Sequence, residues 1–285
     1  MAIQIRRPRP LTDLPSAVLF DTDNTLYPYE PAHVAAMDAT RSKAARVLGI
    51  SAQQFDDTFR EARHQVKTRL GKTASSHSRL LYFQRMLELI GLRTQVLMAL
   101  DLEQTYWRVF LSHATLFDNV KDFLDDLRIA GTSTAIITDL TVQIQFRKIV
   151  YFGLDQYFDH VVTSEEAGVD KPKEEPFKLA LEKLGPITGS IWMIGDDPVC
   201  DIQGARDVVG AITFQKKHEG VRILDGDLGP DIVFEDYKEL QVLLKGLSDL
   251  NGTPSARVEK SWPLGLPALR AAVESVPASL EKLLR

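Results

Sequence analysis

The spacing of apolar residues divides the chain into a helical stretch and a mixed stretch. A short apolar run at residues 17–20 is followed, from residue 31 to about residue 112, by apolar side chains at helical spacing with no convincing strand among them. Glycine-containing breaks at 48–50 and 70–78 divide this stretch into several helices. An all-helical block that directly follows a buried strand predicts an inserted domain.

From residue 117 onward, helical patterns alternate with short apolar runs that have the composition of buried strands. Together with the first run, the predicted strands are residues 17–20, 133–137, 160–163, 191–194, 211–214 and 232–234. Strands that alternate with helices predict βαβ units, in which right-handed crossovers join the strands of a parallel sheet. The sequence therefore predicts an α/β fold, a doubly wound parallel sheet with an inserted all-helical domain.

Changes in this pattern and in composition also predict the domain boundaries. The predicted units are a core domain, residues 15–30 and 113–248, an inserted helical cap domain, residues 31–112, and a C-terminal segment, residues 249–285. Residues 1–14 are basic and predict a loose arm. Residues 249–267 are rich in Gly, Pro and Ser and predict a linker, and the amphipathic stretch after them predicts a tail that packs on the body, forms a homodimer or contacts a partner.

Composition argues against several classes of protein. Hydrophobic residues make up 44% of the 285 residues and charged residues 26%, as in an ordinary globular protein, and a net charge of -5 argues against a nucleic-acid-binding protein. No apolar run approaches the roughly 18 residues that a membrane span requires. The basic start is not followed by the apolar segment of a signal peptide, and the single cysteine, Cys200, fits a reducing compartment. We therefore expect a cytoplasmic protein without nucleic-acid or membrane partners.

Polar residues with catalytic potential follow the predicted strands. Asp21 and Asp23 come directly after the first strand, and Thr138 comes directly after the second. Lys171 lies beyond the third strand, and Asp196 lies just beyond the fourth. Because ligands of open α/β sheets bind outside the carboxyl ends of the strands, we expect these residues to meet in one crevice.

Paired carboxylates in such a crevice fit the chemistry of phosphoryl transfer. An ionised carboxylate such as Asp21 can attack phosphorus to give an aspartyl-phosphate, which divides the transfer into two easier steps. A carboxylate that faces a phosphate dianion repels it, so a hard cation with oxygen ligands is required, and Mg²⁺ suits this task. Asp23, as a protonated acid, can give its proton to the leaving alkoxide and then, as a base, take one from the attacking water.

The order of these residues resembles the four motifs of the haloacid dehalogenase superfamily over about residues 15–245. The matching residues are Asp21-x-Asp23-x-Thr25, Thr138, Lys171-Pro172, and Gly195-Asp196 with Asp201. The dehalogenase branch of this superfamily lacks an acid at the place of Asp23. The resemblance therefore favours a phosphatase branch over a dehalogenase.

The resemblance also implies a role for each matching residue. Asp21 is expected to be the nucleophile. Asp21 and Asp196 are expected to bind Mg²⁺ through their side chains, and Asp23 through its backbone carbonyl. Lys171 is expected to neutralise the nucleophile and the phosphate oxygens, and Thr138 is expected to hydrogen-bond a phosphate oxygen.

Further residues are expected to support this site, namely Thr25, Asp139, Asp197 and Asp201. By resemblance, Asp201 supports either Lys171 or a metal-bound water, and the adjacent Asp197 is an alternative for that role. Asp139 and Leu140 stand where many relatives have Asn-Gly, which places a negative charge and a bulky side chain near the phosphate site.

The helical insert resembles the mobile cap of this superfamily, which closes on the core and supplies substrate specificity. Residues 27–29 are the expected hinge. Segments 21–28 and 78–82 are most similar to the branch of pyrimidine 5'-nucleotidases and acylneuraminate 9-phosphate phosphatases. The residues expected to face the substrate are Tyr27, His64, His77, Arg79 and Tyr82.

Together these features predict a Mg²⁺-dependent phosphatase that hydrolyses a small phosphorylated metabolite, a nucleotide or a sugar phosphate, through an aspartyl-phosphate. A phosphomutase that resembles β-phosphoglucomutase is an alternative, because it uses the same acids but returns the phosphate to the substrate. A non-catalytic regulatory protein that uses the tail to contact a partner is a third hypothesis, although a complete set of acids is not expected in such a protein.

Overall fold

Short strands at the positions of the apolar runs form a seven-stranded sheet in the computed structural model, which describes residues 3–7, 9 and 11–250. The strands are β1 (Gln4–Ile5), β2 (Ala17–Phe20), β3 (Ser133–Thr138), β4 (His160–Thr163), β5 (Ile191–Gly195), β6 (Ile212–Lys216) and β7 (Ile232–Phe234). Their order across the sheet is β1-β7-β6-β5-β2-β3-β4, and only β1, at one edge, runs antiparallel to its neighbour. The prediction of a parallel α/β sheet is confirmed.

Helices connect these strands and form the insert. Those of the described residues are α1 (Tyr29–Leu48), α2 (Ala52–Leu70), α3 (Arg79–Leu89), α4 (Val96–His113), α5 (Val120–Ile129), α6 (Val142–Tyr151), α7 (Ser164–Ala167), α8 (Glu174–Leu184), α9 (Gly204–Val209) and α10 (Tyr237–Leu250). Shorter helical turns lie at Ala74–His77, Pro198–Gln203 and Gly226–Leu228. In the part of the chain that the structure describes, no helix has both the length and the apolar character of a membrane span.

Strand β2 lies in the interior of the sheet, between β3 and β5, and all of its side chains are fully buried. Phe20 packs in the larger core on one face of the sheet, whereas Leu19 packs on the other face in a smaller core that includes Phe177 of α8. Burial on both faces explains why the sequence of β2 is continuously apolar instead of alternating. The carboxyl end of this strand therefore opens between two layers of helices.

The insert consists of α1 to α4 and joins β2 to α5. Helix α1 is followed by Gly49 and α2 by Gly71, and both glycines have the positive φ that favours this residue. Both helix breaks that the glycines predicted are thus confirmed. The helices of the insert pack around an aromatic core, whose buried members include Phe55, Tyr82, Phe83, Tyr106 and Phe110. The boundaries of the insert as a separate domain stay a prediction.

The predicted loose arm at the start of the chain is wrong for the residues that the structure describes. Residues Gln4 and Ile5 pair with β7, and Arg6 lies 2.6 Å from a carboxylate oxygen of Asp225. Short strands of this kind carry too little apolar pattern to be recognised. At the other end, α10 continues through residue 250, past the expected start of the linker at residue 249. The remaining linker and the amphipathic tail, residues 251–285, lie outside the described residues, and the predictions about them are untested.

Candidate active site

The residues after β2 turn sharply at the carboxyl edge of the sheet. The backbone N–H of Asp21 still donates to the Ile194 carbonyl of β5 at 2.9 Å, so the first acid is held as an extension of the sheet. The N–H groups of Thr25 and Leu26 then both donate to the Thr22 carbonyl, at 3.3 and 2.9 Å, which closes the turn. The Thr25 hydroxyl donates to Asp21 Oδ2 at 3.0 Å. Thr25 therefore supports the Asp21 carboxylate, as expected.

Lys171 joins three strand ends through one buried ammonium group. Its Nζ lies 2.7 Å from Asp21 Oδ1 and 2.7 Å from Asp201 Oδ1, and it donates to the Ile137 carbonyl of β3 at 2.9 Å. Burial alone would lower the pKa of Lys171, but Asp201 and Asp21 raise that pKa well above its ordinary value. The ammonium group is therefore charged and lies within hydrogen-bond distance of both carboxylates.

Asp201 is fixed by donors on both of its oxygens. Its Oδ1 accepts from Lys171, and its Oδ2 accepts from the backbone N–H groups of Asp196 and Asp197 at 3.1 and 3.0 Å. This geometry needs a glycine at position 195, since a Cβ atom there would lie 2.4 Å from the Cβ of Asp201. Of the two roles considered for Asp201, the structure shows contact with Lys171.

The alternative that Asp197 takes the role of Asp201 is wrong. The Asp197 side chain is exposed and accepts from the backbone N–H groups of Val199 and Cys200, at 2.8 and 2.7 Å. It is the N-terminal cap of the helical turn at Pro198–Gln203, a position at which an aspartate is strongly preferred. The sequence alone could not show which of Asp197 and Asp201 contacts Lys171, because both follow the same strand within a few residues.

Three carboxylates gather in a space suited to a metal ion. Oxygen atoms of Asp21, Asp196 and Asp201 all lie within 4.8 Å of one another. Burial raises the pKa of Asp21 to about 7, with Asp201 and Asp23 adding to the rise and Lys171 opposing it. One lysine does not balance these acids, so the donor set fits a divalent cation with oxygen ligands. Asp201 accepts from three donors, whereas each oxygen of Asp21 accepts from only one and keeps a lone pair for a cation, so we assign Asp21 and Asp196 as the candidate side-chain ligands.

The Asp23 carboxylate binds a lysine that the sequence analysis did not identify. Lys148 Nζ lies 2.8 and 3.1 Å from the two carboxylate oxygens of Asp23, and the Tyr27 hydroxyl donates to Asp23 Oδ1. Burial alone would raise the pKa of Asp23, but Lys148, with hydrogen bonds from Tyr27 and Thr22, lowers it below its ordinary value. Asp23 is therefore ionised in this structure, whereas the sequence predicted a protonated acid for the first step.

The sequence contains one indication that Lys148 is buried, namely its position on α6. It lies on α6 four residues after Ile144, on the buried face of that helix, and only 2% of it is exposed. Its ammonium group lies within 5.7 Å of the ring centroids of Tyr27 and Trp107 and 5.6 Å from that of Phe110. A buried lysine of this kind requires a partner, and Asp23 is that partner.

Thr138 ends β3 beside the turn that contains Asp21 and Asp23. Its hydroxyl lies 2.8 Å from the Thr22 hydroxyl, and it accepts from Gln145 Nε2 at 2.7 Å. Gln145 occupies an acceptor position of Thr138, and the Thr22 hydroxyl already donates to Asp23 Oδ1 at 3.2 Å, so the Thr138 hydroxyl donates to Thr22 in this arrangement. Asp139, the next residue, accepts from the backbone N–H of Lys171 at 3.0 Å, so it anchors the segment that carries the lysine.

The five residues that were expected to face the substrate divide into three groups. Tyr27 is buried and binds Asp23, so it belongs to the core site. Tyr82 is fully buried and its hydroxyl donates to the Ser76 carbonyl, whereas His64 is exposed on α2, so neither is brought to the acids. His77 reaches the core through Asp170, with Nε2 3.0 Å from Asp170 Oδ2, and Arg79 lies directly beside it.

Comparison with known proteins identifies the family. A family model for haloacid dehalogenase-like hydrolases matches residues 15–208. The chain belongs to the haloacid dehalogenase-like hydrolases. It is 40% identical over 194 residues to ribulose-1,5-bisphosphate 5-phosphatase from Halopiger xanaduensis, a match that covers 68% of this chain and 81% of that protein.

Two further relatives of this haloacid dehalogenase-like hydrolase are also described as phosphatases. Glyceraldehyde 3-phosphate phosphatase from Methanopyrus kandleri is 28% identical over 236 residues, which cover 81% of this chain and 98% of that protein. The crystal structure of a HAD phosphatase from Thermococcus onnurineus is 26% identical, with a TM-score of 0.58, over 81% of this chain and 98% of that one. The sheet and the helical insert thus agree with a haloacid dehalogenase-like fold, and the nucleotidase branch is not among these relatives.

We predict that Asp196→Asn weakens Mg²⁺ binding by at least about tenfold, because it removes a charged ligand from a hard cation. Isothermal titration of the purified protein with Mg²⁺ measures this loss. Asp197→Asn is the matched control, since it removes the same charge from the adjacent residue and asparagine still caps the helical turn. Equal affinities in the two variants would contradict the assignment of Asp196 as a ligand.

Proposed function

We propose that this protein is a Mg²⁺-dependent phosphatase that hydrolyses a small sugar phosphate through an aspartyl-phosphate on Asp21. The observation that carries the proposal is the buried bridge from Lys171 Nζ to Asp21 Oδ1 and Asp201 Oδ1, each at 2.7 Å, at the carboxyl edge of the sheet. It holds the proposed nucleophile in one orientation beside a cation. The names of the relatives support a sugar phosphate over the nucleotide that the sequence also allowed.

In the first step, an oxygen of the Asp21 carboxylate forms a bond to phosphorus, and the bond between phosphorus and the sugar oxygen breaks. The electron pair of that bond stays on the sugar oxygen, which takes up a proton. Lys171 offsets the charge of the phosphate oxygens, and the Thr138 hydroxyl turns its proton from Thr22 to one of them. A bound Mg²⁺, held by Asp21 and Asp196, would further neutralise the phosphate oxygens.

In the second step, water attacks the phosphorus of the aspartyl-phosphate and regenerates the Asp21 carboxylate. Asp23 takes a proton from this water, a role that its ionised state beside Lys148 already suits. For the first step, Asp23 must hold a proton. Phosphate monoesters have a second pKa of about 6, so the substrate can carry that proton into the site. Like-charge repulsion from the phosphate also favours the protonated carboxyl.

A phosphomutase would use the same residues and differ in its acceptor. No contact among the described residues favours return of the phosphate to a second sugar hydroxyl over its transfer to water. The two activities differ in their products, because a phosphatase releases one inorganic phosphate for each substrate consumed, whereas a mutase yields an isomeric sugar phosphate. A screen of phosphate release with a panel of sugar phosphates and nucleotides therefore tests the proposal directly.

In this screen, the wild type with Mg²⁺ is expected to release phosphate from at least one small sugar phosphate, and Asp21→Asn is expected to release none. The amide is not nucleophilic enough to attack phosphorus, whereas the fold is retained because residue 21 lies at a strand end. Asp155→Asn, an exposed residue after α6, controls for loss of a carboxylate. Substantial activity in Asp21→Asn would exclude the covalent mechanism, and an isomeric product without phosphate would indicate a mutase.

Asp23→Asn separates the two steps. With a sugar phosphate, loss of the general acid is expected to slow aspartyl-phosphate formation by about 10²–10⁴-fold. With an activated aryl phosphate, the leaving group needs little protonation, so rapid-quench kinetics should show a burst of phenol followed by slow turnover. Equal slowing of the first step for both substrates, with no burst, would mean that Asp23 serves only to position other groups.

A further inference from the structure

Three cations of the insert lie close together near the segment that carries Lys171. Arg63 and Lys67 lie one turn apart on α2, and Arg79 begins α3. His77 connects two of them directly. Its carbonyl accepts from Arg79 Nη1 at 2.9 Å, and its ring Nδ1 lies 3.5 Å from Lys67 Nζ. We refer to Arg63, Lys67 and Arg79 as the cationic cluster.

The cationic cluster lacks carboxylate partners. Among the described residues, none of its three members forms an ion pair within 4.0 Å, although other cations of the insert do, such as Arg41 with Asp56 and Lys43 with Asp101. Burial lowers the pKa of Lys67, and repulsion from Arg63 and Arg79 lowers it further, against weaker attraction from Asp170 and Asp139. The local balance of charge is therefore positive.

Aromatic side chains, and not carboxylates, surround the guanidinium group of Arg79. The Arg79 guanidinium lies 5.3 Å from the ring centroid of Tyr106, 5.5 Å from that of Tyr82 and 5.8 Å from that of Trp107, and its Nη2 donates to the Tyr29 hydroxyl. These contacts hold the cation without neutralising it. In such surroundings an added anion is attracted more strongly than in water.

The cationic cluster adjoins the catalytic acids along two routes. His77 Nε2 lies 3.0 Å from Asp170 Oδ2, and Asp170 immediately precedes Lys171 in the chain. On the other route, Arg79 and Lys148 approach the same Trp107 ring, at 5.8 and 5.7 Å from its centroid, and Lys148 binds Asp23. The cluster is thus linked to the residues beside Lys171 and Asp23, and an anion bound there can be a second group of the molecule whose phosphoryl group is at Asp21.

We propose that the cationic cluster is a second anion subsite, which binds a second phosphate group of the substrate, so that the preferred substrate is a small sugar bisphosphate. This proposal rests on the proposed phosphatase function and specifies its substrate class. Three cationic side chains match a phosphate dianion with three acceptor oxygens better than a single carboxylate. Arg63 is exposed and Lys67 is half-buried, so the second phosphate can reach both.

Matched pairs of substrates test the subsite kinetically. The wild type is expected to have a kcat/KM about 10- to 100-fold higher for ribulose 1,5-bisphosphate than for ribulose 5-phosphate. The same ratio is expected for fructose 1,6-bisphosphate against fructose 6-phosphate, because the second phosphate gains one or two charge-assisted hydrogen bonds. Arg63→Gln and Lys67→Gln should reduce this preference toward one, mainly through KM for the bisphosphates. Arg60→Gln, an exposed cation on the same helix that pairs with Asp57, should leave it unchanged.

Binding to the Asp21→Asn variant in the presence of Mg²⁺ tests the subsite independently of turnover. This variant should bind a bisphosphate at least about tenfold more tightly than the matching monophosphate, and Lys67→Gln in the same background should remove the difference. Equal affinities of Asp21→Asn for the bisphosphate and the monophosphate would overturn the subsite. So would an equal loss of affinity for both ligands when Lys67→Gln is added.

The outcomes also separate the subsite from the proposed function. If the wild type hydrolyses monophosphates without preferring bisphosphates, the proposed phosphatase activity is retained and the second anion subsite is rejected. If Asp21→Asn binds bisphosphates more tightly but the wild type hydrolyses none of the substrates, the subsite is retained and the proposed phosphatase activity is rejected.

Discussion

The buried ammonium group of Lys171 is the constraint on which the site depends. It contacts Asp21 after β2, Asp201 after β5 and the Ile137 carbonyl on β3, so one charge fixes the ends of three neighbouring strands. Burying such a triad costs several kcal/mol per ion, and apolar residues of similar volume often stabilise a fold equally well or better. Because burying these three charged groups costs free energy, a catalytic role explains their presence more readily than a contribution to the stability of the fold. It holds an anionic nucleophile beside a cation without water between them.

Other features of the core follow from this constraint. Gly195 is required because Asp201 approaches the backbone so closely, and Asp139 holds the backbone of Lys171. Asp23 belongs to a separate pair with Lys148, which offsets the charge of the second acid, although that charge still contributes to the raised pKa of Asp21. The site therefore contains two carboxylates with different lysine partners, and this difference permits one to act as nucleophile and the other as proton carrier.

Much of the core could be predicted from the sequence, because its determinants are local. Buried strands such as Ala17–Phe20 and Ile191–Gly195 carry apolar runs with clear ends, and Asp21 and Asp196 follow those ends directly. Arg79 was among the residues expected to face the substrate, but Lys148, Arg63 and Lys67 could not be predicted in the same way, because their positions depend on how distant helices pack against the sheet. A lysine on an apolar helix face indicates a buried partner but does not identify it. The pairing of β1 was not predicted, because a strand of two residues is too short to show a pattern of apolar and polar positions.

Charge is divided between the two parts of the site, with carboxylates and the candidate metal site at the strand ends and the cationic cluster on the insert. The central proposal is that phosphate passes through Asp21 before it reaches water. The stereochemical course at phosphorus tests this most directly, with a sugar phosphate made chiral by oxygen isotopes and hydrolysed by the wild type. Two successive in-line displacements predict retention of configuration in the released phosphate. Inversion would mean that water attacks the substrate directly, and it would contradict the account.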